Sequence, residues 1–227
     1  MATPGEPPQA VIFDVDGTLI STGGASDRAW KRAFEEIYGV EVNVGDYTGR
    51  GVTDPAVGLA SFRGALGRDP ERDEMARLMA LRLRHLPGEV ASSTSYRVMP
   101  GVEPLLRHLA DGGTLLGLIT GNVEAAAHIK LARAELNHHF VFGGYGSDAI
   151  ERVDVARVAI ERGERAGGTP LELGRCLAVG DTPRDVDAGH GAGMRVVGVA
   201  TGEYDLPALS EAGADLALAT LEDWPAR

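Results

Sequence analysis

One residue in 227 is a cysteine, Cys176, so no disulfide framework can form within the chain. Long apolar runs are missing too. None approaches the roughly 18 residues of a membrane span, and Met1 to Gln9, with three prolines and no basic or apolar stretch, does not resemble a signal peptide. Basic residues are in deficit, 22 against 33 acidic. The resulting formal charge of -11 argues against nonspecific binding to nucleic acid or to an anionic membrane. The expected setting is soluble, reducing and cytoplasmic, with the oligomeric state open. An acidic protein that takes an anionic substrate needs a metal or local basic groups. Cys176 itself falls in Arg175-Cys176-Leu177-Ala178-Val179, which reads as a strand, and its thiol reads as packing.

What is present starts with Ala10-Val11-Ile12-Phe13, a short apolar run with the composition of a buried strand, followed by Asp14-Val15-Asp16-Gly17-Thr18. Two carboxylates therefore stand at the end of a strand, where ligands bind in open α/β sheets. Two aspartates at i and i+2 point to the same side and repel unless a cation or a shared proton offsets them.

The next seventy or so residues read as helices. Asp27 to Tyr38 carries Trp30, Phe34 and Ile37 on one face, and Gly39 stops it. Asp54-Pro55 and Asp69-Pro70 each suggest a helix start. Met75, Met79, Leu83 and Leu86 form a stripe that reads as core, and Pro87 to Pro100 reads as a linker. From Val102 the pattern alternates: helices over Val102–Ala110, Val123–Leu136, Val153–Ala166, Pro183–Ala192 and Leu206–Ala212, and strands over Thr114–Ile119, Phe140–Phe142, Cys176–Val179, Val196–Val199 and Leu216–Ala219. Such alternation predicts an α/β fold, a Rossmann-like three-layer core around a parallel sheet, with an inserted helical domain. The expected division is residues 1–20 and 97–227 for the core and 21–96 for the insertion.

Three polar clusters fall at predicted strand ends. Thr120-Gly121-Asn122 offers a hydroxyl, a flexible glycine and a potential helix N-cap to a phosphate oxygen. Asp181-Thr182-Pro183-Arg184-Asp185 brings two more carboxylates, and Asp181 could join Asp14 and Asp16 around a divalent cation. Arg152 precedes a helix and could neutralise a transferring phosphoryl group.

In this order, Asp14-Val15-Asp16-Gly17-Thr18, Thr120-Gly121-Asn122 and Gly180-Asp181-Thr182-Pro183-Arg184-Asp185 resemble three of the four motifs of the haloacid dehalogenase superfamily, over nearly the whole chain. The helical segment between the first two resembles the cap many members insert there. The resemblance implies Mg²⁺-dependent phosphoryl transfer through an aspartyl-phosphate, acting on a small phosphorylated metabolite. Asp14 would be the nucleophile, Asp16 the acid and base and, through its backbone carbonyl, a metal ligand. Asp181 would be a further metal ligand, with Asp185 orienting water or Arg152 from behind. Thr120, Gly121 and Asn122 would bind the phosphoryl oxygens.

The family's third motif usually carries a lysine, but here Arg152 occupies the matching place and is assigned its role, with Lys130 as the alternative. Lys130, in the helix after Thr120, reads as solvent-facing, as do Arg82 and Arg84 on a solvated face. Arg50, in a glycine-rich loop, reads either as a substrate contact or as a solvated turn charge. His138 and His139 read as surface histidines and His190 as structural. Gly23-Gly24 and Ser92 to Tyr96 are the expected hinges.

Asp16 favours phosphate esters over carbon–halogen bonds, because an alkoxide leaving group needs a proton. Phosphoglycolate is the first substrate to test. The alternatives are a sugar-phosphate mutase of the same family, whose branch has a histidine where this chain has Ser26, and a non-catalytic phospho-ligand or protein binder.

Overall fold

The computed structural model describes residues 7–225; Met1 to Glu6 of the proline-bearing N-terminal segment lie outside them. Six strands form one parallel sheet. In chain order they are β1 (Ala10–Phe13), β4 (Leu115–Thr120), β5 (Phe142–Tyr145), β6 (Cys176–Gly180), β7 (Arg195–Val199) and β8 (Leu216–Leu218), and across the sheet they run β5-β4-β1-β6-β7-β8. A second, two-stranded ribbon pairs β2 (Ile20–Ser21) antiparallel with β3 (Arg97–Val98).

Successive side chains of β1 point to opposite faces and build two separate cores. Val11 and Phe13 join Leu105, Leu106, Leu116 and Leu118 on the side of helix α4 (Val102–Asp111) and helix α5 (Glu124–Ala132). Ala10 and Ile12 join Val155, Ala159, Val186 and Val196 beneath helix α6 (Arg152–Gly167) and helix α7 (Pro183–Gly191). Helix α8 (Leu206–Glu211) completes that side, and the three-layer α/β expectation holds.

Helices α1 (Ala25–Tyr38), α2 (Asp54–Leu66) and α3 (Arg72–Ser92) form a block between β2 and β3. Its own core holds Trp30, Phe34, Phe62 and Leu78, with Met75 and Met79 against it, so the methionine stripe is packing. A second cluster, Ala25, Ala29, Leu86 and Val90, closes against Val123 and Ala126 at the start of α5. Among the described residues no helix is long and apolar enough to cross a membrane.

Three elements differ from the sequence expectation: α3, α5 and β5, the last expected over Phe140–Phe142 and found over Phe142–Tyr145, after the 3-10 turn that ends at His139. The linker expected from Pro87 begins only after Ser92, because α3 continues through Pro87. Burial of Leu86 and Val90 on either side of the proline offsets the lost amide. The same helix begins at Arg72 rather than at Asp69-Pro70. Glu71 and Glu74 form a reciprocal capping box, while Asp69 is taken by Arg63. The helix expected to run to Leu136 stops at Ala132; Glu135 takes a left-handed φ of 57° and a 3-10 turn follows over Leu136–His139.

Candidate active site

Register decides which residues meet. Phe13 is level with Leu118 on one side and Val179 on the other, so Asp14, Thr120 and Asp181 emerge together at the carboxyl edge of the sheet. The Asp14 amide donates to the Val179 carbonyl at 2.8 Å and fixes that level. β1 lies where the strand order reverses, the position at which crevices open in such sheets.

Asp14, Asp181 and Asp185 are buried, and each offers an oxygen within 4.8 Å of the others. Thr18 Oγ1 donates to Asp181 Oδ1 at 3.0 Å. Gly17 (φ 89°) turns the chain so closely over Asp181 that a Cβ there would overlap the carboxylate. Asp185 is held by its own helix start: the Thr182 amide and hydroxyl donate to its Oδ2 at 3.0 and 2.7 Å. Burial and the neighbouring Asp185 push Asp14 up to about 7 even against Arg152, and push Asp181 up to about 9. A cluster of three hard oxygen donors that resists carrying its full charge fits a divalent cation.

Arg152, at the first turn of α6, reaches the cluster as its place in the sequence suggested. Its Nη2 donates to Asp14 Oδ1 at 3.2 Å and to Asp185 Oδ1, while its buried Nε has no protein partner. Thr120 is buried, and its Oγ1 accepts from the Asn122 amide and from Asn122 Nδ2, at 3.2 and 2.7 Å. Gly121 lies so close under Val52 that any side chain would strike that carbonyl.

The side chains of Asp14 and Asp16 part company. Asp16 turns away from the carboxylate cluster and accepts from Asn122 Nδ2 at 2.7 Å and from Lys130 Nζ at 2.6 Å. Lys130 also donates to Asn122 Oδ1 at 2.6 Å. Burial alone would raise the Asp16 pKa; Lys130 and Asn122 outweigh it and hold the carboxyl below its usual range.

Lys130 is therefore not solvent-facing: its side chain is 2% exposed. It shares its helix face with the buried Ala126, Ala127 and Leu131, and helical side chains lean toward the N-terminus, which brings the ammonium back to the strand end. The available signal was a lysine on an apolar stripe. Nor is Asn122 an N-cap. Its side chain serves Asp16, and the Val123 amide is received instead by Asp54 Oδ2 at 2.8 Å.

Asp54 belongs to a contact the sequence reading missed. Arg82, expected on a solvated face, is fully buried: Nη1 donates to Asp54 Oδ2 at 2.7 Å, Nη2 to Ser26 Oγ at 3.2 Å, and the guanidinium lies 4.7 Å from the Trp30 ring. Arg84 does stay outside, paired with Glu36. His190 pairs with Asp215, and His138 stacks on His139 away from the cluster.

Above these groups a cavity of about 590 Å³ extends between the strand ends and the helical block. Arg50 stands at its edge, paired at 2.7 Å with the exposed Glu203 rather than with the carboxylate cluster.

A doubly covered parallel sheet that gathers buried carboxylates, a hydroxyl and two cations at its strand ends defines a class of enzyme that works on an anionic centre. The chain belongs to the haloacid dehalogenase-like hydrolases, whose family model matches residues 8–193. It is 31% identical over 209 residues to the tyrosine-protein kinase PtkA of Mycobacterium tuberculosis (strain ATCC 25618 / H37Rv), covering 90% of this chain and 67% of that protein. It is 28% identical over 193 residues to a phosphoglycolate phosphatase of Nitrosospira multiformis, covering 84% of this chain and 82% of the relative. Among solved structures, CbbY from Rhodobacter sphaeroides in complex with phosphate superposes with a TM-score of 0.74 at 20% identity, over 95% of each chain, a likeness of fold.

Proposed function

We propose that the protein is a Mg²⁺-dependent phosphatase of a small phosphorylated metabolite, phosphoglycolate-like in size, working through an aspartyl-phosphate. The observation that carries this reading is the opposite treatment of two aspartates two residues apart. Asp14 lies in the carboxylate cluster, and Asp16 lies in a lysine–asparagine network facing the same cavity.

An Asp14 oxygen attacks phosphorus and the ester oxygen departs, taking its proton from Asp16, which is ionised in the free site and takes up that proton as the phosphoryl anion binds beside it. Water then attacks the acyl phosphate while Asp16 removes its proton, and phosphate leaves Asp14 as a free carboxylate. Thr120, the Gly121 amide and Arg152, whose buried Nε is unanswered, receive the phosphoryl oxygens. Asp14 and Asp181, with the Asp16 backbone carbonyl, would hold Mg²⁺, which would screen the repulsion between carboxylate and phosphate, while Asp185, whose oxygens already receive Arg152 and Thr182, orients Arg152 from behind. Residues 21–96 serve as the cap, hinged at Gly23-Gly24 and at Ser93 to Tyr96, where Ser93 Oγ donates to the Thr22 carbonyl at 2.8 Å.

The test is release of phosphate from p-nitrophenyl phosphate and from a metabolite panel, with and without Mg²⁺. Asp14→Asn should abolish it. No release from any ester would refute the reading and favour a phospho-ligand binder. The 31% identity to a tyrosine-protein kinase supports one second reading, in which a tyrosine hydroxyl rather than water accepts the phosphoryl group. Transfer of label from γ-labelled ATP to tyrosine would favour it. The mutase alternative is weakened because Ser26 is engaged by Arg82.

A further inference from the structure

Among the described residues, Arg50, Arg97, Lys130 and Arg152 are the cations that line the cavity. Three have their charge answered within the protein, Lys130 by Asp16, Arg152 by Asp14 and Asp185, and Arg50 by Glu203. The Arg97 side chain, which is exposed, has no carboxylate and no hydrogen-bond partner among the described residues.

Nor is Arg97 carried on a loose loop. It lies in β3 opposite Ser21 of β2, and β2 follows directly on the turn that holds Asp16 and Gly17. Its neighbour Val98 packs against the sheet's core, so strand alternation sends Arg97 the other way, to the cavity. An exposed guanidinium set by paired backbone on the wall of the cavity, with its fork unoccupied, matches a planar or tetrahedral anion.

We propose that Arg97 receives a second anionic group, borne on the alcohol portion of the substrate, so that the enzyme acts on phosphate monoesters of acids or on bisphosphates. This rests on the phosphatase reading above. It adds to that reading a residue that selects between charged and neutral leaving groups.

The experiment compares kcat/KM for 2-phosphoglycolate, a sugar bisphosphate and the uncharged-alcohol ester p-nitrophenyl phosphate, in the wild type and in Arg97→Gln. Loss of one charge-assisted contact predicts that the ratio of anionic-ester to neutral-ester kcat/KM falls about 10- to 100-fold, mainly through KM. Whichever of the first two substrates shows the drop identifies carboxylate or phosphate as the group bound. An unchanged ratio overturns the inference and leaves the phosphatase intact.

Calorimetry on Asp14→Asn protein provides a readout that does not need turnover. It should bind 2-phosphoglycolate or the bisphosphate at least about tenfold more tightly than orthophosphate, and Arg97→Gln should erase that advantage. No preference over orthophosphate in the parent protein would also overturn the inference, whether or not any ester is hydrolysed.

Discussion

Replacing Arg82 with methionine removes the guanidinium that joins α3 to α2, and the structure fixes what should follow. Asp54 would be left 9% exposed at its side chain, with only the Val123 amide to answer its charge. Breaking a buried pair by removing one partner costs about 3–5 kcal/mol. Loss of the contact with Trp30 adds about 0.5–2 kcal/mol. Against this, the wild-type Arg82 Nε is buried with no partner, and its removal returns about 1–3 kcal/mol. The net expectation for Arg82→Met is a loss of about 3–4 kcal/mol. Asp54→Asn should lose a similar amount, because it strands the arginine. The double variant removes both charges and keeps an acceptor for Val123, so it should be more stable than either single variant, with a coupling of about 2 kcal/mol or more. Urea unfolding followed by far-UV circular dichroism, with midpoints compared at constant m, measures all four corners of the cycle. Additive losses would refute the reasoning, since they would mean that the two charges do not depend on each other.

Further outcomes follow from the same geometry. In metal-free protein Asp14 and Asp181 are raised from 3.8 to about 7 and about 9, so the folded state holds protons that the unfolded chain gives up. The stability this represents is lost as pH rises through those values, and Tm should fall from pH 6 to pH 9. Millimolar Mg²⁺ should flatten that fall, and a metal-free Tm that rises over the same window would contradict it. Lys130→Met should lower kcat about 10²-fold or more through Asp16 while leaving the circular dichroism spectrum unchanged; near-normal turnover would confine Lys130 to packing. Burial pushes the Cys176 thiol up to about 11, so iodoacetamide at pH 8 should label native protein far more slowly than urea-unfolded protein. Comparable rates would mean that the strand end around Cys176 opens readily.

Much of the fold was legible because strands and helices leave their period in the sequence. Val11 and Phe13 against Ala10 and Ile12 alternate across one short strand, and the β–α rhythm after Val102 admits only a few sheet arrangements. Boundaries were less legible. Pro87 and Asp69-Pro70 are local stop and start signals, but the packing of Leu86 and Val90 and the Glu71–Glu74 cap overrode them.

The sequence by itself determined the chemistry on offer: Asp14 and Asp16 at one strand end, Thr120 and Asp181 at two others, and Arg152 at a helix start. It could do so because register in a parallel sheet aligns strand ends, so motifs that end strands must meet. Only the tertiary structure decided which way each side chain turned. Lys130 and Arg82 read as surface charges because long cationic side chains on helices ordinarily are. Here helix packing buries both, one against Asp16 and the other against Asp54. Asp14 and Asp16, two residues apart in the chain, end in opposite electrostatic surroundings, because their charged partners come from α5, α6 and α7, more than a hundred residues away.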